Sequence, residues 1–238
     1  MSLSQIITDS IKYPFSDLTK FLIVGIMVLL AGISNVFISY GIDNVSLLMI
    51  GYAVSLFFAL VISGYGLSVI RKAVSYSDDV PDIDLINNFI DGIKVLVISL
   101  VYFLIPLIIT LILALITGAI GAGLNNILAS LGVAVVIAVI VFILFAVFEV
   151  IALARFAKTD EFGDAFDLGE IFDDVKKIGI LKILALIIIA VLIIIIASVF
   201  ASVFALIPFV GIVIAEILIG AFILLFYNRA IGLLYAEL

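Results

Sequence analysis

The chain has 238 residues, 67% of them hydrophobic and only 12% charged, with a net charge of −7 and a mean hydropathy of +1.54. A soluble domain carries roughly twice that charge fraction, so the composition excludes an ordinary water-facing fold and points to a bilayer as solvent. Cys and His are both absent. That excludes disulfides, thiolate nucleophiles, thiolate or imidazole metal sites and His-based acid–base chemistry, and an acidic chain is a poor ligand for nucleic acid.

Taken in chain order, residues 1–20 read as an amphipathic helix with Leu3, Ile6, Ile7 and Ile11 on one face; their charges and lack of a small-residue cleavage site do not fit a signal peptide. Phe21–Tyr40 is the first uncharged run of spanning length. Asp43 and Asn44 mark a turn, and Leu47–Ile70 is the second run, stopped by Arg71-Lys72. The stretch from Leu85 to Ile93 is again amphipathic, and Val95–Thr117 is the third run, with Pro106 inside it. A glycine-rich turn (Gly118, Gly121, Gly123, Asn125, Asn126) precedes the fourth, Leu131–Ala154. A third amphipathic stretch from Leu168 to Ile178 leads to Ile183–Ile207. Pro208-Phe209-Val210-Gly211 then offers a turn before the sixth run, Gly211–Tyr227.

The expectation is an all-α, polytopic membrane protein of six transmembrane helices arranged as three hairpins. All 11 Lys and Arg residues fall at the termini and in the gaps at 71–94 and 155–182 and around Arg229. Cationic loops resist translocation, so this predicts a multi-pass protein of the cell membrane with both termini cytoplasmic.

The amphipathic stretches share a pattern. Leu85-x-x-x-Phe89-x-Asp91-x-x-Lys94 returns as Leu168-x-x-x-Phe172-x-Asp174-x-x-Lys177, and the N-terminus reads Leu3-x-x-x-Ile7-x-Asp9-x-x-Lys12. Each copy precedes a pair of spans. The single membrane domain, 1–238, therefore parses into three repeat units, 1–80, 81–163 and 164–238, each a short interfacial helix followed by a hairpin. The terminal Lys of each copy is placed to reach headgroups, and the copies serve either as elbows orienting the next span or as docking surfaces. The acidic loops at 77–82 and 159–164 lack calcium-loop spacing and read as solvated segments.

Two acids fall inside spans, Glu149 and Glu216. Intramembrane ionisable groups face a protein interior or a wet cavity, so these two are candidate polar sites, together with Arg155, Asn228 and Arg229. Pairing with a basic residue at the cytoplasmic end is the plain account of Glu149. An acid near the outer interface, protonated or exposed to water, is the plain account of Glu216.

The segments Ile11-Lys12-Tyr13-Pro14-Phe15-Ser16-Asp17, Gly64-Tyr65-Gly66 with Arg71, Val80-Pro81-Asp82 and Phe89-x-Asp91-Gly92-x-Lys94 resemble an archaeal family of multi-spanning membrane proteins. It is the domain of unknown function 4013, and the resemblance covers nearly the whole chain. It implies a membrane protein and brings no activity, cofactor or catalytic residue. The six-span layout is more distantly similar to the non-catalytic membrane domain attached to some bacterial glycerophosphodiester phosphodiesterases.

With no His, Cys or catalytic constellation, the reading is non-enzymatic and without a cofactor. The protein is expected to be a membrane scaffold or accessory subunit engaging membrane lipids or a partner protein on the cytoplasmic face. The alternative is a small transporter or channel for a lipid-like or small-molecule substrate, motivated by Glu149, Glu216 and Pro106. A membrane-embedded enzyme ranks third.

Overall fold

In the computed structural model, residues 1–120, 127–208 and 210–238 are described, and all their regular structure is helical. Gly121, Gly123, Asn125 and Asn126 of the expected glycine-rich turn, and Phe209 of the second turn, lie outside the described residues. The helices are α1 (Leu3–Lys12), α2 (Leu18–Ala31), α3 (Ile33–Ser39), α4 (Val45–Val74), α5 (Leu85–Ile120), α6 (Ile127–Thr159), α7 (Leu168–Ile178), α8 (Ile180–Phe204), α9 (Gly211–Ala215) and α10 (Ala221–Tyr235). A π-helical turn, Glu216–Gly220, joins the last two.

Local chemistry sets the starts of the elbow segments. Ser2 caps α1, its hydroxyl accepting from the Gln5 amide while the Gln5 side chain returns to the Ser2 amide. Asp84 accepts from the amides of Ile86 and Asn87 at 3.1 Å, and Asp167 from that of Glu170 at 3.1 Å. The residue before the Leu of each copy is thus a cap.

The three elbows do not end alike. The Tyr13–Phe15 turn, with Pro14, follows α1, and the segment 3–15 meets α2 at 86°. Gly179, at φ +94°, separates α7 from α8, a backbone conformation that an L side chain resists. No Pro or Gly stands at the Lys94–Val95 junction, and residues 85–94 run on into the apolar stretch as one 36-residue helix. The expected separate interfacial helix of the second unit is therefore the first turns of α5. Pro106 also sits inside that unbroken helix.

Among the described residues, five helical stretches are long and apolar enough to cross a membrane: Val45–Val74, Leu85–Ile116, Val135–Thr159, Ile180–Phe204 and Gly211–Tyr235. A sixth arises only if the bent pair Leu3–Phe15 and Leu18–Ala31 is one span. The expected first span, Phe21–Tyr40, is broken at Gly32 into α2 and α3. Tertiary contact explains the break. The Ser34 amide donates to Ser55 Oγ at 3.1 Å instead of continuing the helix, and the Ser55 hydroxyl donates to Ser34 Oγ at 3.1 Å.

Packing is uneven along the helices. The C-terminal halves of α4, α6 and α10 hold the core, with Leu67, Ile70, Ile151, Phe156, Ile231 and Leu234 buried against Ile6 of α1 and Ile171 of α7. A second cluster joins Phe21, Val24 and Met27 of α2 to Val61, Tyr65 and Leu225. The N-terminal halves of α4 and α6 and the C-terminal halves of α5 and α8 turn apolar side chains outward: Met49, Leu56, Val135, Leu115 and Val199 are exposed. In hydrocarbon such surface needs no protein cover.

Helices α4 and α5 touch backbone to backbone. A Cβ on Gly64 would run into the Asn88 carbonyl, and one on Gly92 into the Leu60 carbonyl. Small residues allow this approach where apolar burial gives little drive.

Candidate functional site

Arginines at the C-terminal ends of α4, α6 and α10 each grip an acid on an amphipathic segment. Arg71 of α4 binds Asp91 of α5 through a short contact, and its second nitrogen holds Asp160 at 2.6 Å. Arg155 of α6 reaches Asp174 of α7 at 2.8 Å and Glu170 at 3.4 Å. Arg229 of α10 donates from Nε to Asp9 of α1 at 2.8 Å, from Nη2 to Asp78 at 2.6 Å and from Nη1 to the Ser77 carbonyl. A forked guanidinium suits such divided contacts, whereas a lysine ammonium is a point charge.

Aromatic rings back these clamps. Arg229 lies over the Tyr13 ring at 4.7 Å, and both Arg71 and Lys94 lie over Phe156. Tyr13 in turn donates to the Asp79 carbonyl at 3.1 Å, Tyr65 to that of Pro81 at 3.1 Å, and Tyr102 to that of Ala165 at 2.8 Å. Lys20 donates to the Val80 carbonyl at 2.6 Å and pairs with Asp82 at 2.8 Å. The acidic loops, read from sequence as solvated, are pinned to the body by their backbone carbonyls and by Asp78, Asp82 and Asp160.

Electrostatics follow from this geometry. Burial opposes ionisation of Asp174, but hydrogen bonds from Tyr235 and Arg155, and the nearby Lys177, hold its carboxyl below the usual range. Burial likewise opposes the Glu237 charge, and Lys182 with the N-terminal amine outweighs it. For Tyr13, burial and the acids Asp79, Asp78 and Asp9 push the hydroxyl up to about 12 against the pull of Arg229, so it stays a neutral donor.

A carboxylate held low in the folded state binds protons less readily there than in the unfolded chain. Its contribution is complete above the ordinary aspartate range, about pH 4, and is lost as pH falls through the lowered value. Tyr235 donates to Asp174 at 2.7 Å. Tyr235→Phe is expected to cost about 1.5 kcal/mol at neutral pH and to move the onset of acid unfolding upward, read by thermal melts across a pH series in detergent.

The sequence-predicted residues separate into groups. Asp9, Asp91, Asp174, Arg155 and Arg229 belong to the clamps. Lys94 and Lys177 pair with Asp91 and Asp174 at 3.1 and 3.4 Å, three residues back on their own helices. Lys12 is exposed and has no such partner among the described residues. Asn228 donates to its own helix at Leu224 and sits over Gly66 of α4. Glu149 has no ion-pair partner among the described residues; the Ser99 hydroxyl of α5 lies near enough to act on its carboxyl. Sequence reading missed Asp78, Asp160, Tyr13 and Tyr235 as clamp members, although Asp78 and Asp160 follow the arginines of α4 and α6 at similar distances.

Two further features lie within the apolar stretches. A groove of about 440 Å³ opens between the start of α2, the outer part of α8 and residues 218–222, lined by Phe15, Phe21, Ile193, Phe200, Phe204 and Phe222 among others. Glu216 begins the π-helical turn, and its carboxyl lies over Gly32 at the α2–α3 break.

One family model, described as a protein of unknown function (DUF4013), matches residues 45–207. The match runs from the start of α4 past the end of α8, so the Ile11–Asp17 motif falls outside it. No curated protein and no solved structure matches the chain.

Proposed function

The chain belongs to the DUF4013 family, whose function is unknown, and we propose that it is a non-enzymatic membrane protein that holds lipid along its lateral face. The single observation that carries this reading is the groove between α2, α8 and residues 218–222. Its walls are apolar throughout, its volume of about 440 Å³ lies within the range of small-molecule sites, and Ile196 and Phe200 on its rim are more than half exposed. A site with those walls, set among membrane-crossing stretches, fits a lipid acyl chain.

The scaffold's organisation is part of the proposal. The arginine of each hairpin exit grips the acid of the following elbow, Arg71 to Asp91 and Arg155 to Asp174. Arg229 returns to Asp9 at the beginning of the chain. This pattern supports three pseudo-equivalent units, 1–80, 81–163 and 164–238, closed in a ring on the side that the cations mark as cytoplasmic. Because Asp9, Asp91 and Asp174 are engaged within the protein, they are poor docking points for a partner protein on that face. A transport role is the second reading, favoured by the broken helix against Glu216.

The test is lipid retention after mild detergent extraction, read by native mass spectrometry. Ile193→Trp, which fills the groove, and Phe200→Asn, which makes its rim polar, are each expected to lower bound phospholipid several-fold. Val139→Asn on the exposed face of α6 should leave it unchanged. Equal retention in all of these proteins would sink the reading.

A further inference from the structure

We propose that Glu216 is a proton-binding site built at the break between α2 and α3. The inference is independent of the lipid groove. Glu216 lies in an apolar stretch, and among the described residues it has neither an ion-pair nor a hydrogen-bond partner. The carboxyl does not point at random: a Cβ built on Gly32 would sit 3.6–3.7 Å from its three carboxyl atoms, and one on Gly220 3.8 Å from Oε2. The carboxyl thus rests against Gly32 and Gly220 at ordinary van der Waals distance. The π turn that starts at Glu216 places Leu218 and Ile219 in the groove while its first residue faces Gly32. Such single π turns recur at functional sites.

The break also alters the backbone hydrogen bonding next to the carboxyl. In a continuous helix the amides of Ser34 and Asn35 would serve the carbonyls of Leu30 and Ala31. Here Ser34 donates to Ser55 Oγ and Asn35 to the Gly32 carbonyl; the Leu30 carbonyl accepts from the Gly32 amide instead, and the Ala31 carbonyl loses its helical donor. An ionised carboxylate only accepts hydrogen bonds, whereas a protonated one carries an O–H donor. Proton uptake converts Glu216 from a charge in hydrocarbon into a neutral acid with an O–H to donate, beside Gly32 at the break. The balance is simple: the carboxylate takes one proton from water, becomes a carboxylic acid, and returns it on release. Glu216 is five residues beyond Gly211, about 8 Å along the helix from its first residue.

The surrounding charges do not compete. Lys20, the titratable group of α2, is engaged with Asp82 at that helix's first turn. Lys182 of α8 is at the far end, on Glu237. On α10 the titratable groups are Tyr227, Arg229 and Tyr235, and Arg229 is held by Asp9 and Asp78. Helices α3 and α9 carry none. On α4, packed against α2, Tyr65 is bonded to the Pro81 carbonyl and Tyr52 is exposed.

The test uses the intact protein in lipid nanodiscs with dicyclohexylcarbodiimide, an apolar reagent that modifies protonated carboxyls in hydrocarbon. Modified peptides are mapped by mass spectrometry across a pH series. The expected result is adduct at Glu216 at low pH that fades as pH rises, and no adduct at residue 216 in Glu216→Gln. Absence of adduct at every pH, or an equal yield at every pH, overturns the proposal, because the group is then permanently charged, sealed or permanently neutral. The decisive reading is on the unaltered protein, so it does not depend on a variant folding.

Discussion

Arg229→Ala is expected to cost about 3–5 kcal/mol of stability and to loosen two distant segments together. The side chain is 2% exposed and makes charge-assisted bonds to Asp9 and Asp78, a bond to the Ser77 carbonyl and a contact with the Tyr13 ring. Truncation leaves Asp9 without its partner, opens a void beneath Tyr13 and frees the loop after α4. Arg229→Lys keeps the charge but cannot divide it among three acceptors, so about 1.5–3 kcal/mol is lost. Arg71→Ala should do less at its outer contact, because Asp160 is 73% exposed and a solvated pair contributes about 1 kcal/mol or less. Unfolding in mixed micelles measures the order, and limited proteolysis at residues 75–82 should rise in Arg229→Ala.

Gly64→Val is the second large expected effect. The atoms that an added Cβ would meet are the carbonyl of Asn88 and the amide nitrogen of Gly92, all backbone of α5. No rotamer change relieves a backbone collision, so α4 and α5 must separate along their crossing. That also strains the 3.4 Å bond from Ser68 to Asn88 and the core around Tyr65. A loss of about 3 kcal/mol, the upper end of ordinary overpacking, is expected. Gly163→Ala is the control: nothing lies within 4 Å of its added Cβ, and its effect should stay within about 0.5 kcal/mol. Equal behaviour of the two variants in melting and in size-exclusion profile contradicts the close crossing.

The long spans were legible because composition alone decides them: uncharged runs such as 183–207 have no reason to exist in water. The helix starts at Leu3, Leu85 and Leu168 were legible too, and their cap residues Ser2, Asp84 and Asp167 have a local chemical cause. The fate of each elbow was less so. Pro14 and Gly179 end the first and third, whereas nothing between Lys94 and Pro106 ends the second, so α5 runs straight through. The break at Gly32 was hidden because its cause is tertiary, the diversion of the Ser34 amide to Ser55 some 21 residues away. For the same reason the clamps could not be paired by inspection. Arg229 and Asp9 are 220 positions apart, and periodicity carries no information on such a distance. The groove joins three separate elements and leaves no local pattern at all.

The most direct test of the clamp-built body is a double-mutant cycle across the two ends of the chain, using Asp9→Asn, Arg229→Gln and the pair. If Arg229 closes the last helix onto the first, the two losses will be strongly non-additive, with a coupling of about 1–3 kcal/mol in reversible unfolding. Additivity within about 0.5 kcal/mol would show that Asp9 and Arg229 do not hold each other.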